Sequence, residues 1–172
     1  MSPLLPTKLA LVATLVAVTA AVGDCLRRAP ESLGDPRLAG AYLVLFTALF
    51  LLRVAGQLAV VSLRPAWLPP AAQWNFVPYP ILLPMQIAFL AVMLAIDVDL
   101  ARGTGVFARP TPTVGAVLVP LSYVYWSAMA GRYALRMTRR PDQRWFGGAI
   151  PIVFHCVLAA FLFVYGSYHA SA

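Results

Sequence analysis

Residues 38–63 read LAGAYLVLFTALFLLRVAGQLAVVSL, 26 residues in which Arg53 is the one charge and Gln57 the one amide. About 20 predominantly apolar residues in a helix cross the hydrocarbon core of a bilayer. This stretch is too long and too apolar for the surface helix of a soluble domain, so it decides the fold class. Arg53 and Gln57 stand four residues apart and so share one face of the helix. Ionisable and amide groups at such depth are costly and face a bundle interior rather than lipid.

Four further apolar stretches flank this one, at about 9–23, 78–96, 114–135 and 146–168. The composition agrees: 61% of the 172 residues are hydrophobic and 11% are charged. The 13 basic and 6 acidic residues compare with about 43 charges in a soluble chain of this length. Too little polar surface is available to cover a water-soluble fold. An ordinary soluble enzyme, a disordered tail, a coiled coil and a disulfide framework are all excluded. The prediction is an all-α polytopic membrane bundle of five transmembrane helices, forming a single domain over residues 1–172. The count falls to four if the first stretch is a cleaved signal. Lys8, the 15-residue apolar run and the small residues Val18 and Ala20 resemble such a signal. Pro3, Leu4, Leu5 and Pro6, however, extend the apolar character upstream of Lys8 and favour a retained helix.

Orientation follows from the Lys and Arg residues in the connections. Lys8, Arg64, Arg132, Arg136, Arg139, Arg140 and Arg144 fall on one side. Arg27, Arg28, Arg37, Arg102 and Arg109 fall on the other, beside five of the six acidic residues. The predicted N-terminus is cytoplasmic and the C-terminus periplasmic. Twelve of the 13 basic residues are arginine, and with the abundance of alanine this fits a GC-rich bacterial genome and hence an inner membrane. The basic residues sit at the ends of apolar runs rather than among aromatics, so no nucleic-acid partner is expected. Membrane lipids are the partners such a chain must have.

The polar residues inside the spans converge in depth. Counted inward from Leu63, Pro78, Leu135 and Phe146 at 1.5 Å per residue, Gln57 lies at about 9 Å and Gln86 at about 12 Å. His155 and Trp126 lie at about 13 Å and Arg53 at about 15 Å, with Tyr125 and Tyr123 slightly deeper. A pocket in the cytoplasmic half would use Arg53, Gln57, Gln86, Tyr123 or Trp126, and His155. Arg53 would hold an anionic or carbonyl group there, and Gln86 and His155 would orient it. The plainer account has these groups satisfy one another between helices, or has Arg53 reach for the headgroups.

Two more features adjoin this layer. The stretch WLPPAAQWNFVPYPILLPMQ, residues 67–86, is an interfacial loop with aromatic anchors; Trp74, Asn75 and Tyr79 would form a partial lid. The run GRYALRMTRRPDQRW, residues 131–145, puts Arg132 and Arg136 on one helical face, which Pro141 should end. It serves as a topology signal, and as a mouth it would guide a phosphorylated amphiphile or an acidic partner surface.

Other chemistry is missing. No carboxylate lies inside the last four stretches, with Asp97 and Asp99 placed just beyond the third. Cys25 and Cys156 form no C-x-x-C pair, and His155 and His169 are the two histidines. That set supplies no metal site, and no cofactor is predicted. No nucleophile, phosphate-binding or dinucleotide motif is present, so no catalytic residue is assigned and an enzyme is disfavoured. Two functions remain. The first is a non-catalytic accessory or scaffold subunit of a membrane assembly. The second is a binder, carrier or enzyme for an amphiphile or lipid with an anionic or carbonyl head.

Overall fold

The computed structural model describes residues 5–28, 30–66, 68, 78–139 and 149–171, and the elements among them are all helical. They are α1 (Leu5–Arg27), a 3-10 turn (Pro30–Gly34), α2 (Pro36–Ser62), α3 (Tyr79–Arg102), α4 (Pro112–Arg139) and α5 (Ala149–Ala170). The last four helices are long and apolar enough to cross a membrane. α1, with 23 residues, reaches about 34 Å at the helical rise. The protein is an all-α helical membrane bundle. Residues 69–77, which hold Trp74 and Asn75, and residues 140–148, which hold Arg140, Pro141 and Arg144, lie outside the described residues.

The helices outrun the apolar stretches because caps, rather than hydropathy, set their ends. Asp35 caps α2 by accepting from the Arg37 N–H at 3.0 Å, with Pro36 opening the helix. α3 continues past Ile96 to Arg102, where the Gly103 N–H returns to the Leu100 carbonyl and the Thr104 N–H to that of Asp99. Asp97 and Asp99, read from the sequence as lying beyond the third span, are therefore inside the helix. Asp97 is buried against Thr47 of α2.

α5 occupies the centre. Its sequence, AIPIVFHCVLAAFLFVYGSYHA, is apolar on every face, the mark of a helix surrounded by others. In α5 78% of the apolar stretch is buried inside the bundle, against 11% in α4. α2 and α4 flank α5 and run antiparallel to it, α3 packs on α2, and α1 lies against α5 and α2. Tyr42 of α2 donates a hydrogen bond to Asp24 near the end of α1, and Arg28 Nε reaches the same carboxylate at 2.9 Å. These two contacts hold Asp24, beyond the apolar run of α1, below the usual carboxylate range. The valines and leucines along the outer faces of α2, α3 and α4 are exposed, as lipid-facing surface should be.

Hydrophobic exclusion does not bring helices together in hydrocarbon, so close packing does. α4 meets α5 at two glycines. A Cβ on Gly115 would lie 2.6 Å from the Ala170 backbone nitrogen, and one on Gly166 would lie 2.9 Å from Leu118 Cβ. Neither neighbour is the free end of a flexible side chain. Gly115→Val should therefore cost about 1–3 kcal/mol, read as a fall in Tm in mild detergent of about 2–4 °C per kcal/mol. Gly131→Ala, whose Cβ meets nothing within 4 Å, should leave Tm unchanged or raise it.

Candidate functional site

The buried stripe of α2 runs through Leu43, Phe46, Phe50, Arg53, Gln57 and Val60, at the three- and four-residue spacing of one helical face. Arg53 and Gln57 belong to that stripe because their positions, not their chemistry, face the core. Arg53 is 4% exposed and Gln57 is fully buried. The Arg53 Cζ stands 5.6 Å from the centroid of the Phe154 ring on α5, a cation–π contact. His155 follows directly. Its Nδ1 shares a 2.6 Å hydrogen bond with the Tyr125 hydroxyl of α4, with the rings 5.8 Å apart. Arg53 and Arg132 both act electrostatically on His155 and on Tyr125. Tyr79, at the start of α3, lies within the electrostatic reach of Arg53. Gln86, seven residues further along α3, is buried on the face that packs on α2.

These side chains do not fully satisfy one another. Arg53 Nε, the Tyr79 hydroxyl and Gln86 Oε1 are buried and have no hydrogen-bond partner among the described residues. Arg53 also makes no ion pair among them. Each buried polar atom left so costs about 1–3 kcal/mol, and hydrocarbon supplies no water to relieve it.

The opposite end of the bundle shows the contrast. There the turn from α3 to α4 is clasped by α5: the Tyr165 hydroxyl donates to the Phe107 carbonyl at 3.1 Å and Tyr168 to that of Ala108 at 2.6 Å. The Thr111 N–H donates to His169 Nδ1 at 2.9 Å, and the Phe107 N–H to Asp99 Oδ2 at 3.1 Å. A backbone N–H only donates, so Nδ1 of His169 is an acceptor and a neutral ring carries its proton on Nε2. This cluster closes a loop. Its polar atoms are spent on backbone except His169 Nε2, which is buried with no hydrogen-bond partner among the described residues.

Of the residues predicted from sequence, Arg53 and His155 lie on adjoining faces of α2 and α5, with Tyr79 and Arg132 within electrostatic reach of them, and Gln57 and Gln86 are buried on the same helical faces as Arg53 and Tyr79. Tyr123 and Trp126 go elsewhere. With Ser122, Thr19, Val22, Gly23 and Phe163 they line a cleft of about 340 Å³ between α1, α4 and α5. The Tyr123 ring lies edge-on to Phe163 at 5.9 Å. Arg136 is half-buried one turn beyond Arg132. Trp74 and Asn75 lie outside the described residues. The partner of His155 on α4 is Tyr125, which depth counting placed in the layer without choosing it. Its signal was the seven-residue spacing to Arg132, which puts both on one helical face.

The group can bind and orient a polar head, and the Tyr125–His155 pair can move a proton; the buried free thiol of Cys156 follows His155 and acts electrostatically on Tyr125. No cluster of three metal-ligating side chains occurs among the described residues. No known protein family, curated protein or solved structure matches the chain.

Tyr125→Phe removes one hydrogen bond worth about 0.5–1.5 kcal/mol, and its Tm should fall by about 2–4 °C per kcal/mol lost. Tyr123→Phe, whose hydroxyl has no part in the layer, should melt with the unaltered protein.

Proposed function

We propose that this protein binds an amphiphile inside the membrane, holding its anionic or carbonyl head in the layer of Arg53, Tyr79, Tyr125, Arg132 and His155. One observation carries the reading: a buried guanidinium lacks an ion pair among the described residues, within electrostatic reach of a tyrosine whose hydroxyl has no partner among them. A purely structural cluster would be closed on itself, as the turn around His169 very nearly is. An anionic or carbonyl head supplies what Arg53 and Tyr79 lack, and its apolar remainder stays in the bilayer. The membrane is read as a bacterial inner membrane, with the layer in its cytoplasmic half.

The second reading, an accessory subunit of a membrane assembly, rests on a different observation. α4 presents Val117, Leu121, Val124 and Leu135 outward, and the cleft beside α1 is lined mainly by apolar groups. A neighbouring transmembrane helix would fit there.

Native mass spectrometry from mild detergent tests the first reading. The unaltered protein should retain a lipid-sized adduct, and Arg53→Gln or His155→Ala should weaken retention about tenfold, a loss of about 1.4 kcal/mol. Retention unchanged in both variants removes the binding reading, and a stoichiometric protein partner without lipid replaces it with the second. Orientation is tested separately in a background carrying Cys25→Ser and Cys156→Ser. An impermeant maleimide should label Thr104→Cys in intact cells and Thr138→Cys only after disruption. The reverse pattern inverts the topology.

A further inference from the structure

We infer that Asp97 and Thr47 form a site for one monovalent cation, a proton or a sodium ion, on the seam between α2 and α3. The site is separate from the Arg53 layer and independent of what that layer binds. In a helix, a serine or threonine hydroxyl often donates to a carbonyl of the preceding turn. Thr14, Ser122, Thr138 and Ser167 all do so, at 2.6–2.9 Å. Thr47 does not. Its Oγ1 is buried, with no hydrogen-bond partner among the described residues.

Asp97 faces it. Thr47 belongs to the buried stripe of α2, and Asp97 to the buried face of α3 with Met93, Ile96 and Leu100. α2 is the helix on which α3 packs, and across that seam the Thr47 hydroxyl acts on the Asp97 carboxylate. The two approach without meeting in hydrogen-bond geometry, for Asp97 Oδ1 is buried and also lacks a partner among the described residues. Thr47 is 4% exposed and Asp97 7%. Thr47 stands about 16 Å inside the start of α2, at a depth where the bilayer offers no water to either oxygen.

An ionised carboxylate at that depth needs a positive partner, and the side chains around it do not provide one. No charged group among the described residues acts on Asp97. Beside Thr47 the buried face of α2 carries Leu43, Phe46 and Phe50, and Arg53 lies about 9 Å further along the axis. Toward the start of α2, Tyr42 turns to Asp24 and Arg37 is exposed. On α3 and the turn after it, Asp99 accepts from the Phe107 N–H, while Arg102 and Arg109 are exposed. Arg140 and Arg144, outside the described residues, belong to the connection that joins the far ends of α4 and α5. One carboxylate and a neutral hydroxyl carry a single negative charge, so a divalent ion would leave a positive charge buried in hydrocarbon. A proton on Asp97 donates to Thr47 Oγ1, whereas a sodium ion takes both oxygens as ligands. Either neutralises the seam, and a carboxylate inside a span is the residue type that ion pathways use.

The full-length protein in maltoside micelles is tested in two arms. Thermal melting is followed in sodium, potassium and choline chloride at equal ionic strength. The carboxyl C=O band is followed by infrared difference spectroscopy against Asp97→Asn. With sodium as the ion, sodium alone raises Tm, Asp97→Asn abolishes the rise, and Thr47→Val moves the sodium midpoint about tenfold higher. With a proton, the three salts give one Tm, the infrared difference shows a protonated carboxyl at Asp97, and Thr47→Val shifts that band. Thr47→Ser, which keeps the hydroxyl, should behave as the unaltered protein in either arm. The two Thr47 variants carry the test if the asparagine variant does not fold.

A Tm indifferent to sodium together with no protonated carboxyl at Asp97 overturns the site. A sodium effect or a carboxyl band that Thr47→Val leaves unmoved also overturns it, since the ion then lies elsewhere. Neither arm reads lipid retention at Arg53, so failure here leaves the binding reading untouched.

Discussion

The close approach of α4 to α5 is the contact on which the remaining geometry depends. Gly115 lets the start of α4 lie against the Ala170 backbone, and Gly166 admits Leu118 and Val119 one step further along. Side chains of any size at these two points would hold the helices apart. With the axes this near, Tyr125 reaches His155 across the seam, and the same register brings Tyr168 and Tyr165 onto the turn that precedes α4. One pair of small residues thus positions polar groups near both ends of the bundle.

Those two ends use polar residues in opposite ways. Around His169 the side chains bind backbone carbonyls and N–H groups, so their hydrogen bonds hold a turn in place. Around Arg53 the side chains come from α2, α3, α4 and α5 and meet one another only in part. The Phe154 ring supplies a face to the guanidinium but no acceptor. A ring beside a buried cation leaves its charge unneutralised, whereas a salt bridge would neutralise it.

Much of this was legible in the residues. The length and apolarity of 38–63 established a membrane helix, and the four-residue spacing of Arg53 and Gln57 put both on the buried face. Counting depth from the ends of the apolar runs placed Gln86 and His155 near them, because antiparallel helices of similar rise bring equal depths together. Depth gives no azimuth, however. Neighbouring residues point about 100° apart on a helix, so Tyr123, Tyr125 and Trp126 share a depth while only Tyr125 faces His155. Deciding among them needs the rotation of α4 about its axis, which Gly115 and Gly166 settle by contact. Asp97 was misjudged for a related reason. Hydropathy falls after Ile96, but the backbone keeps its helical bonds until Gly103 caps it, and the extra turn and a half carries the carboxylate into the α2 interface.

The central position of α5 also bears on how the bundle is made. α5 follows α1 to α4 in the chain, so the other helices must be inserted before the one they surround is available. α2 and α3 can pair on their own, since their shared seam includes Thr47 and Asp97, but α4 finds its main partner only when α5 arrives. Until then Arg53 has no ring to lie upon, Tyr125 has no imidazole, and the start of α4 has no clasp. The layer is complete only once α5 lies between α2 and α4.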